Sequence, residues 1–245
     1  SLMREIVLDT ETTGFDPFSG DRIVEIGAVE LYNHMPTGET YHVYINPERS
    51  MPQEAFGVHG IGPDILEPPQ RPEKGQVTLR DKPVFAKFGQ SFLDFVRDSR
   101  MVIHNASFDM KFLNAELGWI NLPQLPMEQA LDTLAIARKR FPGSPATLDA
   151  LCRRFHIDNS NRTLHGALLD SEILAEVYLE LIGGRQPDFG LSTTSSGSTG
   201  QASDDWRPAP RPTPLPPRVT AAETEAHEAF VAKLGEEALW VQKSG

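Results

Sequence analysis

Between Gly190 and Arg218 the chain has almost nothing to bury. Residues 191–200 read Leu-Ser-Thr-Thr-Ser-Ser-Gly-Ser-Thr-Gly, a polar run that cannot offset the entropy of ordering. Arg207 to Arg218 then carries a proline at nearly every second position, which excludes helix and central strand and leaves an extended spacer. Any compact domain must therefore be built from the residues before it. This divides the chain into a folded domain over 3–184, a Ser/Thr- then Pro-rich linker over 185–219, and a terminal segment over 220–245. In the last of these, Thr220-Ala-Ala-Glu223 reads as a helix capping box followed by the apolar anchors Phe230, Leu234 and Trp240. That segment is too small to fold alone, so its apolar side chains are expected to meet another protein.

Within the first 184 residues, apolar runs alternate with caps and turns. Glu5 to Asp9, Ile23 to Leu31 and Tyr41 to Ile45 read as strands, with Gly38 in the turn between the second and third. Phe85 to Val96 has helical spacing, Met101 to Ile103 reads as a short buried strand, and Phe108 to Leu117, Leu131 to Arg140, Thr147 to Phe155 and Ala167 to Ile182 read as helices. Strands followed by mixed strand and helix predict an α/β domain whose sheet is covered by helices. The single Cys152 rules out an internal disulfide and a cysteine-based zinc ribbon and fits a reducing cytoplasm. No apolar run approaches the roughly 20 residues needed to cross a bilayer. The net charge of −11 argues against an unaided grip on nucleic-acid phosphates, so any nucleic-acid chemistry must be local, metal-assisted or helped by a partner.

Three acidic features stand out against this pattern. Asp9 and Glu11 lie two residues apart at the end of the first strand, so both carboxylates point to one side and repel unless a cation lies between them. A solvated turn is the plain alternative. Asp109 shares a helix face with Phe112, Leu113 and Leu117, which is the core face, although a residue in the first turn is also favoured by the helix dipole behind an Asn105 or Ser107 cap. Asp170 likewise heads an apolar stripe of Ile173, Leu174, Val177 and Leu181. Together they form a set of four hard oxygen donors suited to divalent cations. His165, set off from Asp170 by Gly166, falls on the preceding loop, where an imidazole suits a general base acting on water. Standing alone it would read as a capping or surface histidine.

Asp9-Thr-Glu11, Asn105-Ala-Ser-Phe-Asp109 and His165-Gly-Ala-Leu-Leu-Asp170, in this order, resemble the three motifs of the DEDDh 3′→5′ exonuclease family. Ile6 to Gly14, Ile26 to Glu30, Glu54 to Ile61 and Thr163 to Asp170 further resemble the replicative proofreading branch of that family in bacteria. The resemblance spans about residues 4–184 and returns at Leu239-Trp240. It implies an RNase H-like exonuclease fold, with a mixed five-stranded sheet flanked by helices. It also implies two divalent cations, Mg²⁺ or Mn²⁺, held by Asp9, Glu11, Asp109 and Asp170, with His165 as the base.

The activity so implied is that of a 3′→5′ exodeoxyribonuclease within a DNA-directed DNA polymerase complex, a nucleotidyltransferase holoenzyme. It would remove mispaired 3′-terminal deoxynucleotides as 5′-monophosphates. Thr10, Thr12, Glu54, Phe56, His59, Asn105 and His165 become candidates for substrate contact, with Phe56 either wedged against the terminal base or packed in the core. The implied partners are a single-stranded or frayed DNA 3′ end, the catalytic (alpha) subunit of DNA polymerase III through the terminal segment, and a small theta-like stabilising subunit. Gln186-Pro-Asp-Phe-Gly-Leu191 resembles the short peptides that dock on the sliding (beta) clamp, although a meaningless linker has the same composition. The expected location is the cytoplasm, at the nucleoid and replisome. Residues 68–83 look like an insertion, expected to form a surface loop or a small β excursion. An RNA-trimming relative of the oligoribonuclease or RNase T kind and a non-catalytic polymerase–clamp scaffold are the rival readings. The Pro-rich tail with its apolar end argues against the first, and the four carboxylates against the second.

Overall fold

The computed structural model describes residues 3–183. The linker, the Gln186–Leu191 peptide and the terminal segment lie outside the described residues. Five strands form one sheet: β1 (Arg4–Thr12), β2 (Ile23–Tyr32), β3 (Met35–Tyr44), β4 (Arg100–Ile103) and β5 (Ala130–Asp132). Their order is β3-β2-β1-β4-β5. The first three pair antiparallel as a meander, and β4 and β5 add in parallel to β1. Six α-helices accompany them: α1 (Gln53–His59), α2 (Gly89–Val96), α3 (Ala106–Trp119), α4 (Thr133–Arg140), α5 (Leu148–Phe155) and α6 (Ala167–Leu181). The mixed five-stranded sheet flanked by helices is the expected architecture. No described helix is long and apolar enough to cross a membrane.

The two faces of the sheet are covered by different helices, and the alternation along β1 shows how. Ile6 and Leu8 are fully buried in a core that includes Phe92 of α2 and Phe112 and Leu113 of α3. Val7, between them, belongs to a second core with Leu151 and Cys152 of α5 and Ile173, Val177 and Tyr178 of α6. β1 is thus buried on both faces, and its continuous apolar run Ile6-Val-Leu8 follows from that position. Cys152 is a free buried thiol.

Several element boundaries differ from those expected. β1 does not stop at Asp9 but continues through Thr12, so Asp9 and Glu11 both lie within the pairing register, Asp9 opposite Gly27 and Glu11 opposite Glu25. The β2–β3 hairpin turns at Asn33-His34, both at positive φ, and not at Gly38, which lies inside β3. The segment 85–96 is divided into a 3₁₀ turn at Phe85–Lys87 and α2. Leu131 and Asp132, expected to open a helix, complete β5, and Asp132 caps α4 by accepting the Leu134 N–H at 3.0 Å. α1 was not anticipated. Residues 68–83 form a loop without regular structure that is anchored by buried Leu79, whose N–H donates to Asp64 Oδ1 at 3.0 Å.

Candidate metal centre

Strands β1 and β4 run parallel, and in open α/β sheets a crevice forms beyond the carboxyl ends of such strands. Here it is a cavity of about 380 Å³, into which β1, α1, α3 and α6 all project. Strand periodicity places Asp9 and Glu11 on the α6 side with Val7, and turns Thr10 toward α3. Thr10 Oγ1 donates to Asp109 Oδ1 at 2.5 Å, linking β1 to the first turn of α3. Asp109 is 3% exposed and Asp170, in the first turn of α6, is 4% exposed. All four carboxylates line the same cavity, together with His165. Donor atoms of Glu11, His165 and Asp170 lie within 4.8 Å of one another.

α6 approaches β2 closely because residue 27 is glycine: a Cβ there would overlap the backbone of Ala167 and Leu168. Buried Glu25 completes the junction. One of its oxygens accepts the Ala167 N–H at 2.8 Å and the other lies 2.6 Å from His42 Nε2. The loop before α6 is strapped to α1 by the His165 N–H donating to the Val58 carbonyl at 3.1 Å.

The electrostatics are those of an acidic cluster short of positive charge. Burial pushes Asp9 well above the usual carboxylate range, and Glu11, Asp170 and Asp109 push it further. Burial and then Asp170 and Glu25 do the same to Glu11. Asp109 rises to about 7, chiefly through burial, with the Thr10 hydrogen bond pulling the other way. Asp170 is raised by burial and held back by Arg162. Buried carboxylates whose charged forms are penalised in this way fit a divalent cation, because hard oxygen donors and two positive charges relieve both desolvation and mutual repulsion.

The other candidates divide. Thr10, Thr12, His59 and Asn105 line the cavity, as does Phe108, whereas Glu54 and Phe56 do not. α1 turns Ala55, Val58 and His59 inward, one helical face, which leaves Glu54 exposed and packs Phe56 into a third core around Val24 and Met51. His59 has both ring nitrogens engaged: Nδ1 accepts the Ile61 N–H at 3.0 Å, so Nε2 carries the proton and donates to the Thr12 carbonyl at 3.1 Å. Thr12 Oγ1 donates to the Gly14 carbonyl at 2.6 Å. Asn105 immediately precedes α3 at φ 64° without a side-chain cap, its backbone N–H donating to Asp132 Oδ1 at 2.9 Å.

Two residues that matter here, Glu25 and Arg162, were not singled out in the sequence. Glu25 sits in Ile-Val-Glu-Ile, where alternation makes a charged residue look solvent-facing. Arg162 is a lone basic residue in a polar loop, with no local signal that it is buried.

The exonuclease family whose profile takes its name from RNase T matches residues 6–178. Among curated relatives, the DNA polymerase III subunit epsilon of Rickettsia conorii is 45% identical over 237 residues, covering 96% of this chain and 97% of that protein. That of Escherichia coli K12 is 47% identical over 192 residues, covering 76% and 74%. Among solved structures, exonuclease X in complex with 5′-overhanging duplex DNA superposes with TM-score 0.52 at 24% identity, covering 74% of this chain and 92% of that one. The zinc-bound complex of E. coli exonuclease I with single-stranded DNA gives TM-score 0.58 at 21% identity, covering 76% and 41%. At these identities the two structures speak for the fold alone.

Proposed function

The chain belongs to the exonuclease family that includes the DNA polymerase III epsilon subunits, and from that premise we propose that it proofreads DNA synthesis as a 3′→5′ exonuclease. It removes the terminal deoxynucleotide of a frayed or single-stranded 3′ end as its 5′-monophosphate. The observation that carries this reading is the convergence of four carboxylates from β1, α3 and α6 with one imidazole in a single cavity. Asp9, Glu11, Asp109 and Asp170 would hold two divalent cations, Mg²⁺ or Mn²⁺. When bound, such ions polarise the scissile phosphate and neutralise charge on the leaving oxygen.

The chain's own groups perform the rest. His165 receives a proton from the attacking water, and its backbone tie to Val58 fixes the reach of the ring. Thr10 holds Asp109 in place through its hydroxyl. Asn105, Phe108 and Thr12 form the wall against which the terminal nucleotide lies. Because the charge that meets the phosphate is carried by cations, the acidity of the chain is no obstacle.

In this proposal the Pro-rich linker tethers the nuclease to the polymerase catalytic (alpha) subunit through residues 220–245, and Gln186–Leu191 reaches the beta clamp. A theta-like subunit would complete the assembly at a cytoplasmic replisome. The alignment with the Rickettsia conorii relative over 237 residues supports a tail that belongs to the protein type as much as the domain does.

The test is digestion of 3′-labelled single-stranded DNA and of matched RNA, with and without Mn²⁺. Wild type should release deoxynucleotides in a metal-dependent way and prefer DNA. Asp9→Ala combined with Glu11→Ala should lose at least about a thousandfold in turnover, and His165→Ala about a hundredfold or more. Undiminished digestion by the double variant would refute the assignment.

A further inference from the structure

Arg162 has no part in the chemistry proposed above, yet it is built into the cavity wall. The side chain is 3% exposed. Nε donates to Asp170 Oδ1 at 2.6 Å and Nη2 to Asp170 Oδ2 at 3.0 Å, while Nη1 donates to Asp149 Oδ1 at 2.7 Å. This is the two-pronged geometry in which a planar guanidinium recognises a carboxylate. Asp149, on α5, holds the far side of the fork, so Arg162 has an anchor independent of Asp170. Asn159 Nδ2 also donates to Asp149 Oδ1, at 2.9 Å, which fixes that anchor in turn.

The consequence concerns Asp170. Both of its oxygens are engaged by a monovalent cation, although the proposed function assigns this carboxylate to a divalent one. A cation approaching Asp170 meets a fixed positive charge and a carboxylate whose forward lone pairs are in use. The pairing also explains how four acidic groups tolerate each other before any ion arrives, since an unpaired buried charge is strongly destabilising.

We propose that Arg162 is a resident counter-ion that stands in at Asp170 until a divalent cation binds. Metal loading then proceeds by exchange, with at least one Arg162–Asp170 hydrogen bond given up while Asp149 retains the guanidinium. Arg162 is a positioning residue in this scheme. It keeps the fourth ligand oriented and the metal-free domain intact, and it sets a competitive threshold on metal affinity. The inference rests on the reading of Asp170 as a metal ligand.

The experiment titrates the full-length chain with Mn²⁺, reading free Mn²⁺ by electron paramagnetic resonance, and records Tm with and without the metal. Arg162→Met should lower Tm in the absence of metal and bind Mn²⁺ about fivefold more tightly or better, because the competitor is gone. Its Mn²⁺-induced rise in Tm should therefore exceed that of wild type. Arg162→Lys, which keeps the charge but can hold only one oxygen well, should lie between the two. Mn²⁺ affinity unchanged or weakened in Arg162→Met would overturn the exchange. If that variant does not fold, the same result in Arg162→Lys does so. Asp170→Asn separates the two levels of the argument: it should bind Mn²⁺ more weakly than wild type. Wild-type binding by Asp170→Asn would mean that the carboxylate is no ligand, and the metal centre itself would have to be abandoned.

Discussion

His59 shows how a single side chain can brace the wall of the site. The Ile61 N–H points into Nδ1 and the Nε2 proton is donated to Thr12 O, so the fold accepts only the neutral ring. Burial accordingly pushes its pKa down to about 4. Unfolded, the imidazole titrates near ~6.5. The stabilisation it contributes is therefore complete above that value and drains away as pH falls through the window from ~6.5 to about 4, amounting to about 3 kcal/mol in all. Urea unfolding at a series of pH values should show this loss in wild type and a visibly flatter profile in His59→Gln. Parallel profiles for the two proteins would remove His59 from the account. At this scale the sequence was legible where a carboxylate heads an apolar helical stripe. Asp109 and Asp170 could be picked out because each occupies a core-facing helical position. Arg162 and Glu25 could not be, since their burial is imposed by partners at positions 149, 167 and 170 that no local spacing reveals.

Among the elements, the contact between α6 and β2 is the tightest constraint on the site. Gly27→Ala forces a methyl group into the backbone at Ala167 and Leu168. The neighbour is main chain and cannot rotate away, so a cost of about 3 kcal/mol or more is expected. The displaced helix should take Asp170 with it, lowering nuclease turnover as well as Tm. Gly38→Ala is the control: it faces open space at φ 88° and should cost only about 1 kcal/mol with turnover intact. Equal effects of the two substitutions would show that the close approach is not what seats α6. The long elements were readable from their length and sustained apolar content, as in Ile23–Tyr32 and Ala167–Leu181. β5 was not, because three residues that run straight into a helix carry no period of their own and become a strand only by pairing with β4. The hairpin turn was misplaced for a similar reason. Gly38 advertises a turn, whereas Asn33 and His34 adopt positive φ under the demand of the pairing on either side.

For the molecule as a whole, composition alone sets a polar, proline-rich stretch apart from the residues before it. Division of labour between the two leads to a clear expectation. Removing residues 206–245 should abolish co-purification with the polymerase catalytic subunit while leaving hydrolysis of free single-stranded DNA within about twofold of wild type, since tethering changes effective concentration and not the cavity. A truncated chain that still co-purifies would disprove the tether.

β1 serves both helical layers at once. Its odd-numbered side chains belong to the α6 side and its even-numbered ones to the α3 side, with Thr10 clasping Asp109 between Asp9 and Glu11. The strand is a common rail on which both layers are gauged. Any sliding of one layer past the other, however slight, would be transmitted at once to the spacing of the acidic quartet, so this catalyst is expected to tolerate loops of many lengths but very little shear.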